Sequence, residues 1–310
     1  MSNLRLGTRG SALALWQANW TKSQLEKQWP GLTVELVAIK TSGDKILDVP
    51  LAKIGGKGLF TKEIDEALLD ARIDLAVHSL KDVPFQLPDG IDFAAIPERE
   101  DPRDVFISNG PTLQELPAGA RIGTSSLRRQ VQLRHHFPAL HLETLRGNID
   151  TRLRKLASGE FDGIILAAAG IKRLGYEQRS TQILNDDIMI SAVGQGALGI
   201  VCRSADASTR AVLQVLDHVP TRTAVTAERG LLRALGGSCQ IPVAGRATLD
   251  VDRLTIKGLI ASLDGTRVIA DELSGGADRP NELGLELGHK LLSMGAAEIL
   301  AEIAQYGAGR

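Results

Sequence analysis

The sequence predicts an α/β protein, because strand and helix patterns alternate twice along the first two thirds of its 310 residues. From Thr221 a helix, three strands on short turns and closing helices take over. The alternation argues for parallel strands with helical crossovers in two successive units, and the change argues for a separate small α/β domain with an antiparallel sheet. The length suits two domains and at most three. A chain that is 43% hydrophobic and 24% charged is an ordinary globular one, neither disordered nor fibrous.

In the first unit, Leu4 to Gly7 reads as a strand, Ser11 to Gln28 as a helix capped by Ser11 and stopped near Pro30, and Thr33 to Ile39 as a strand. Thr41 to Gly58 is rich in Gly and Lys and suits a mobile loop. Leu59 to Asp70 follows as a helix, with Ile73 to Val77 and Ile91 to Ile96 as strands. The charged run Glu98 to Asp104 suits a crossing between domains. Beyond it lie strands Val105 to Ser108 and Arg121 to Gly123, helix Ser125 to His136, strand Leu140 to Leu145, helix Asn148 to Ser158 and strand Gly163 to Ala167. The apolar, Gly-broken segment Ile188 to Cys202 is suited to run back to the first unit. The last domain has strands Ile241 to Ala247, Leu254 to Leu263 and Arg267 to Leu273, with helices from Pro280.

The 36 basic and 37 acidic side chains leave a net charge of -1, so bulk charge holds no polyanion. The bases are 24 Arg against 12 Lys, and Arg121 to Arg154 holds seven Arg against two acids, a local excess of about five charges. Aromatics at 4% are poor material for stacking bases, so nucleic acid is not the expected partner. Cys202 and Cys239 lack the spacing of a metal or redox motif, and Ala12 to Trp16 is too short for a signal segment or a membrane span. A cytoplasmic protein with reduced thiols is expected, without metal and without membrane contact.

Three strand-to-helix turns combine small residues, hydroxyls and Arg: Gly7 to Ser11, Gly123 to Arg129 and Leu145 to Asn148. At the carboxyl edge of a parallel sheet such turns present backbone N–H groups and a partial positive charge, which points to an anionic ligand. Arg152 and Arg173 fall at the same edge, whereas Arg134 and Arg154 read as solvated helix face. Arg grips carboxylates two oxygens at a time, and so many cations at one site imply a ligand with several negative charges. In VHSLKDVP, Asp82 stands as an acid among cations, either handling protons and a cationic intermediate or pairing with Lys81, while His78 reads as a satisfied, partly buried histidine. Cys239 sits in a Gly-flanked loop, a reachable thiol or an inert one; Cys202 reads as core. Gly194, Gly196 and Gly199 match GxGxxG, but a strand and not a helix follows; GGKG at Gly55 to Gly58 lacks P-loop spacing.

TRGSALALWQ (from Thr8), KIGGKGLFTKEID (Lys53), AVHSLKDVP (Ala76), EREDPRD (Glu98), GTSSLRRQ (Gly123), LRGNIDTRLRKL (Leu145), AVGQGALGI (Ala192) and GGSCQIP together resemble the porphobilinogen deaminase family, in its order and over nearly the whole chain. The resemblance implies three domains: residues 1–98 with 195–217, then 99–194, then 218–310. The first two would be lobes like those of periplasmic binding proteins, with mixed, mainly parallel sheets. It implies a dipyrromethane cofactor on a thioether to Cys239, onto which four porphobilinogens condense head to tail, each losing ammonia, before water releases hydroxymethylbilane. Asp82 matches the catalytic aspartate; Arg9, Arg128, Arg129, Arg146, Arg152 and Arg173 match carboxylate-binding arginines. Lys81, Ser79, Ser11, Thr124 and Ser126 match the binding shell, and Lys53 to Gly58 the active-site loop. Ser238 departs from the commonest pattern, which has glycine there. A non-enzymatic two-lobed binding protein would need neither Cys239 nor Asp82, and a dinucleotide oxidoreductase would need a helix after Gly199. No exposed apolar seam demands a partner, so a monomer is expected.

Overall fold

The computed structural model describes residues 3–45, 61–237 and 241–308. In chain order the strands are β1 (Asn3–Thr8), β2 (Thr33–Ala38), β3 (Leu75–Ser79), β4 (Ile91–Ala95), β5 (Asp104–Ser108), β6 (Arg121–Gly123), β7 (His141–Glu143), β8 (Gly163–Ala167), β9 (Gln182–Leu184), β10 (Leu198–Arg203), β11 (Val243–Asp250), β12 (Arg253–Ala261) and β13 (Val268–Gly276). The helices are α1 (Ala12–Gln28), α2 (Ser42–Lys45), α3 (Lys62–Leu69), α4 (Leu127–His136), α5 (Ile149–Ala157), α6 (Ala168–Arg173), α7 (Ala207–Leu213), α8 (Val219–Ala234), α9 (Pro280–Leu291) and α10 (Ala297–Ala308).

The chain divides into two compact units. Of the described residues, the first comprises 3–45, 61–100 and 196–222, and the second comprises 101–195, 223–237 and 241–308. The first holds a sheet of order β2-β1-β3-β10-β4, in which β10 alone runs against the other four strands. Leu4, Leu6, Leu75, Val77 and Ile200 on that sheet pack against Leu25 of α1. Ser11 caps α1 through its Oγ, which accepts from Ala14 N at 3.3 Å, and the helix ends where Trp29 N donates to Leu25 O before Pro30.

The second unit repeats that plan as β7-β6-β8-β5-β9, with β5 the reversed strand. The same unit contains the antiparallel sheet β11-β12-β13, whose apolar face packs on α8 and α9. A Cβ on Gly284 would lie 2.0 Å from Ala227 O, so only glycine lets these two helices approach so closely. The hairpin joining β12 to β13 rests on α4, where Arg134 donates to Leu263 O. Arg134 is therefore not the solvated side chain its sequence position suggests; Arg154 is exposed, as expected.

Cys202 is core, with no exposed surface. Gly194 and Gly196 lead into strand β10, which contains Gly199, so no helix follows the glycines; Asp217 accepts from Ile96 N and pairs with Arg222. Among the described residues no helix is long and apolar enough to cross a membrane. No cluster of three or more His, Cys, Asp or Glu that could hold a metal ion occurs among them.

Candidate functional site

The expected site residues that are described fall at the edges where the codirectional strands of each sheet end. In the first unit, β1 delivers Arg9 and Ser11, while β3 delivers Ser79 and a one-turn 3₁₀ helix, Leu80–Asp82. That turn is held by buried Leu80, whose N–H donates to Ala197 O at 3.0 Å, so the lead into β10 fixes it from behind. Arg9, Ser11, Gln17, His78, Ser79 and Asp82 line one concavity. Gln17 Nε2 donates to Ser79 Oγ at 2.8 Å, tying α1 to the end of β3. Asp82 is exposed, Ser79 and Lys81 half-buried.

His78 departs from the satisfied histidine expected: it is buried, yet its Nε2 has no hydrogen-bond partner. Burial, with the Arg9 charge beside it, lowers its pKa from 6.5 to about 4, so it is neutral at physiological pH. The wall of this concavity thus places a neutral imidazole beside a cation and an accessible carboxylate.

In the second unit, β6 ends in Thr124 to Ser126, β7 leads to Leu145 to Asn148, and β8 leads into α6 with Arg173. Ser125 Oγ donates to Leu145 O, joining two of these turns. Ser126 precedes α4 without a side-chain cap, so it leaves the first-turn N–H groups of that helix uncapped by its hydroxyl. Asn148 caps α5 from Thr151 N at 2.9 Å, and Arg152 Nε folds back onto Gly147 O at 2.9 Å, which keeps its guanidinium at the turn as its spacing predicts. Arg146 buries Nε and Nη2, which have no hydrogen-bond partner among the described residues. Two unpartnered donors of one guanidinium suit a carboxylate.

Arg128 and Arg129 are not open to solvent, at 5% and 6% exposed. Both close on Asp104, which is 0% exposed, with Arg128 Nη1 to Oδ2 at 2.8 Å and Arg129 Nη2 to Oδ1 at 2.7 Å. Burial alone would raise Asp104, but the two guanidiniums override it and hold the carboxyl well below the usual range. Asp82 is therefore not the sole acid among the cations, and part of their counter-charge lies within the chain. Asp104 is the residue sequence reasoning missed. Its signal is the final Asp of EREDPRD, standing directly before a strand, Val105 to Ile107, that is wholly buried. Cys239 and the loop Lys53 to Gly58 lie outside the described residues.

Two family profiles match the chain: porphobilinogen deaminase, dipyromethane cofactor binding domain, over residues 4–211, and porphobilinogen deaminase, C-terminal domain, over residues 222–293. The chain is 54% identical to the porphobilinogen deaminase of Geobacter sulfurreducens, covering 98% of this chain and 96% of that protein. It is 53% identical to that of Nitratidesulfovibrio vulgaris, covering 100% and 99%. Among solved structures, an ancestral cationic amino acid solute binding protein aligns over 69% of this chain and 88% of its own, at 13% identity and a TM-score of 0.42.

Proposed function

The chain belongs to the porphobilinogen deaminase family, and from that premise we propose how its own residues divide the work. It is a transferase of tetrapyrrole biosynthesis that joins porphobilinogen units on a dipyrromethane cofactor. Asp82 is the catalytic aspartate, working as its carboxylate. When the aminomethyl C–N bond of an incoming porphobilinogen breaks, the bonding pair leaves with ammonia and a cation remains on the pyrrole. A carboxylate beside that ring stabilises the cation, and after the new C–C bond forms it can take the proton shed by the attacked carbon. Ser79 and Ser11 border the same surface, and Arg9 takes a carboxylate of the incoming ring.

The dipyrromethane, when bound, supplies the pyrrole carbon that attacks. Its acetate and propionate groups suit the second unit's edge, where Arg146 has unpartnered donors and Arg128 with Arg129 outnumber Asp104. Thr124, Ser126, Arg152 and Arg173 complete that edge, and Lys81 and Asp82 also belong to the cofactor's binding shell. Cys239 forms the thioether, on the last of three domains. The reading places a monomer in the cytoplasm, where the thiol stays reduced.

The observation that supports this reading most is that one concavity holds both an exposed acid, Asp82, and Arg9, while Arg146 of the other unit buries two donors that have no partner among the described residues. A binding protein needs the cations but not the acid. The test is mass: the purified chain should carry a dipyrromethane on the peptide containing Cys239, and active material with an unmodified mass would sink it.

A further inference from the structure

We propose that Asp104 sets the charge of a carboxylate-receiving arginine pair: it fixes the guanidiniums of Arg128 and Arg129 and cancels one of their two charges, leaving one for the ligand. The inference rests on the reading of that pair as part of the cofactor site.

Asp104 accepts at Oδ1 from Arg129 Nε at 3.2 Å and Nη2 at 2.7 Å, and from Gln195 Nε2 at 2.9 Å. Arg128 reaches Oδ2 at 2.8 Å. The same Arg128 Nη1 also donates to Ile190 O at 2.7 Å, and Arg129 Nη1 donates to Ile165 O at 2.9 Å. Arg129 is thereby fixed through all three of its nitrogens and Arg128 through Nη1, the pre-organisation a carboxylate clamp needs.

The stoichiometry is the telling feature. A buried ion pair of one acid and one base is neutral, whereas two guanidiniums on one carboxylate leave a surplus charge in a desolvated place. A purely structural role has no use for that second cation, and a ligand carboxylate would neutralise it. Position follows from topology: β5 is the reversed strand, so its first residue, Asp104, lies opposite Ala167, the last of β8, at the edge where the other strands end.

Charge balance can be tested directly in the holoenzyme. Arg128→Gln leaves Asp104 and Arg129 as a closed neutral pair, so the fraction of chains carrying dipyrromethane, read by intact mass, should fall and KM for porphobilinogen should rise about tenfold. Adding Asp104→Asn frees Arg129 and should recover both by about the same factor. A double variant that folds, by its melting curve, yet is no better than Arg128→Gln overturns the proposal. Asp104→Asn alone raises the surplus to two charges and should lower KM with a steeper dependence on ionic strength; a parental KM and slope also overturn it. If Arg129→Leu keeps full cofactor occupancy and KM, the reading of the pair as a carboxylate site fails instead.

Discussion

At the edge of the first unit's sheet an acid is left accessible, with Asp82 exposed on the concavity that Arg9 lines, whereas the matching edge of the second unit buries its acid beneath two arginines. Both sheets have the same plan, four strands one way and the next-to-last strand reversed. The difference comes from what opens the reversed strand. β10 begins with apolar Leu198, so nothing charged enters that edge from within, while β5 begins with Asp104. A carboxylate that must exchange protons has to stay reachable, and cations that must hold a ligand in one orientation gain from being fixed and desolvated. On the proposed roles, one topology serves a place to react and a place to grip.

The sharpest contrast is between the two acids. Asp82→Ala should keep the cofactor by mass but lower kcat about a hundred- to ten-thousand-fold, and turnover within tenfold of the parent would remove the reaction from the first unit's edge. Asp104→Ala should act on the fold, costing about 3 to 5 kcal/mol in urea unfolding because two buried guanidiniums lose their counterion. A cost below about 1 kcal/mol, the range of an exposed pair, would make the two edges equivalent.

The units also differ in how they meet acid. In the first, His78 has a folded pKa of about 4, below its unfolded 6.5, so its contribution is full above pH 6.5 and lost as pH falls to 4. Asp65 on α3 is raised by burial to about 6, so its contribution runs the other way, lost as pH rises from about 4 to 6. The two slopes oppose each other, and hydrogen exchange of β3 amides should be nearly flat over this window. Asp65→Asn should uncover a loss on the order of 3 kcal/mol between pH 6.5 and 4. A flat profile in that variant would refute the account of His78. The depressed carboxyls Asp74 and Asp206 act below this window, as Asp104 does in the second unit. Smallest of all, Arg134→Leu should cost about 1 kcal/mol through its lost bond to Leu263 O, with cofactor occupancy unchanged. Lost occupancy would bring Arg134 into the gripping edge.

Much of the fold is legible in the sequence. Ser11 and Asn148 announce their helices as caps, and the apolar run Gly163 to Ala167 is a strand over its full length. Short elements such as β9 and α6 carry no readable signal in the sequence, because three residues of strand or six of helix give periodicity nothing to repeat. At the site, the hydroxyl- and Arg-bearing turns could be read because turn chemistry is local. Whether an arginine in such a turn meets solvent, a backbone carbonyl or a buried acid could not, since Arg128 and Arg129 meet an acid some 25 residues earlier in the chain.

By itself the sequence determined the α/β class, the places where strands become helices, the excess of arginine at those places and the motifs that mark the family. These are properties of neighbours in the chain, set by capping, turn geometry and side-chain period. Tertiary structure decided which charges remain available: strand reversal carried Asp104 to Arg128 and Arg129, docking of a hairpin took Arg134, and burial left His78 neutral beside Arg9. The physical reason is that the availability of a charge depends on desolvation and on partners distant in sequence, and only the folded chain brings those together.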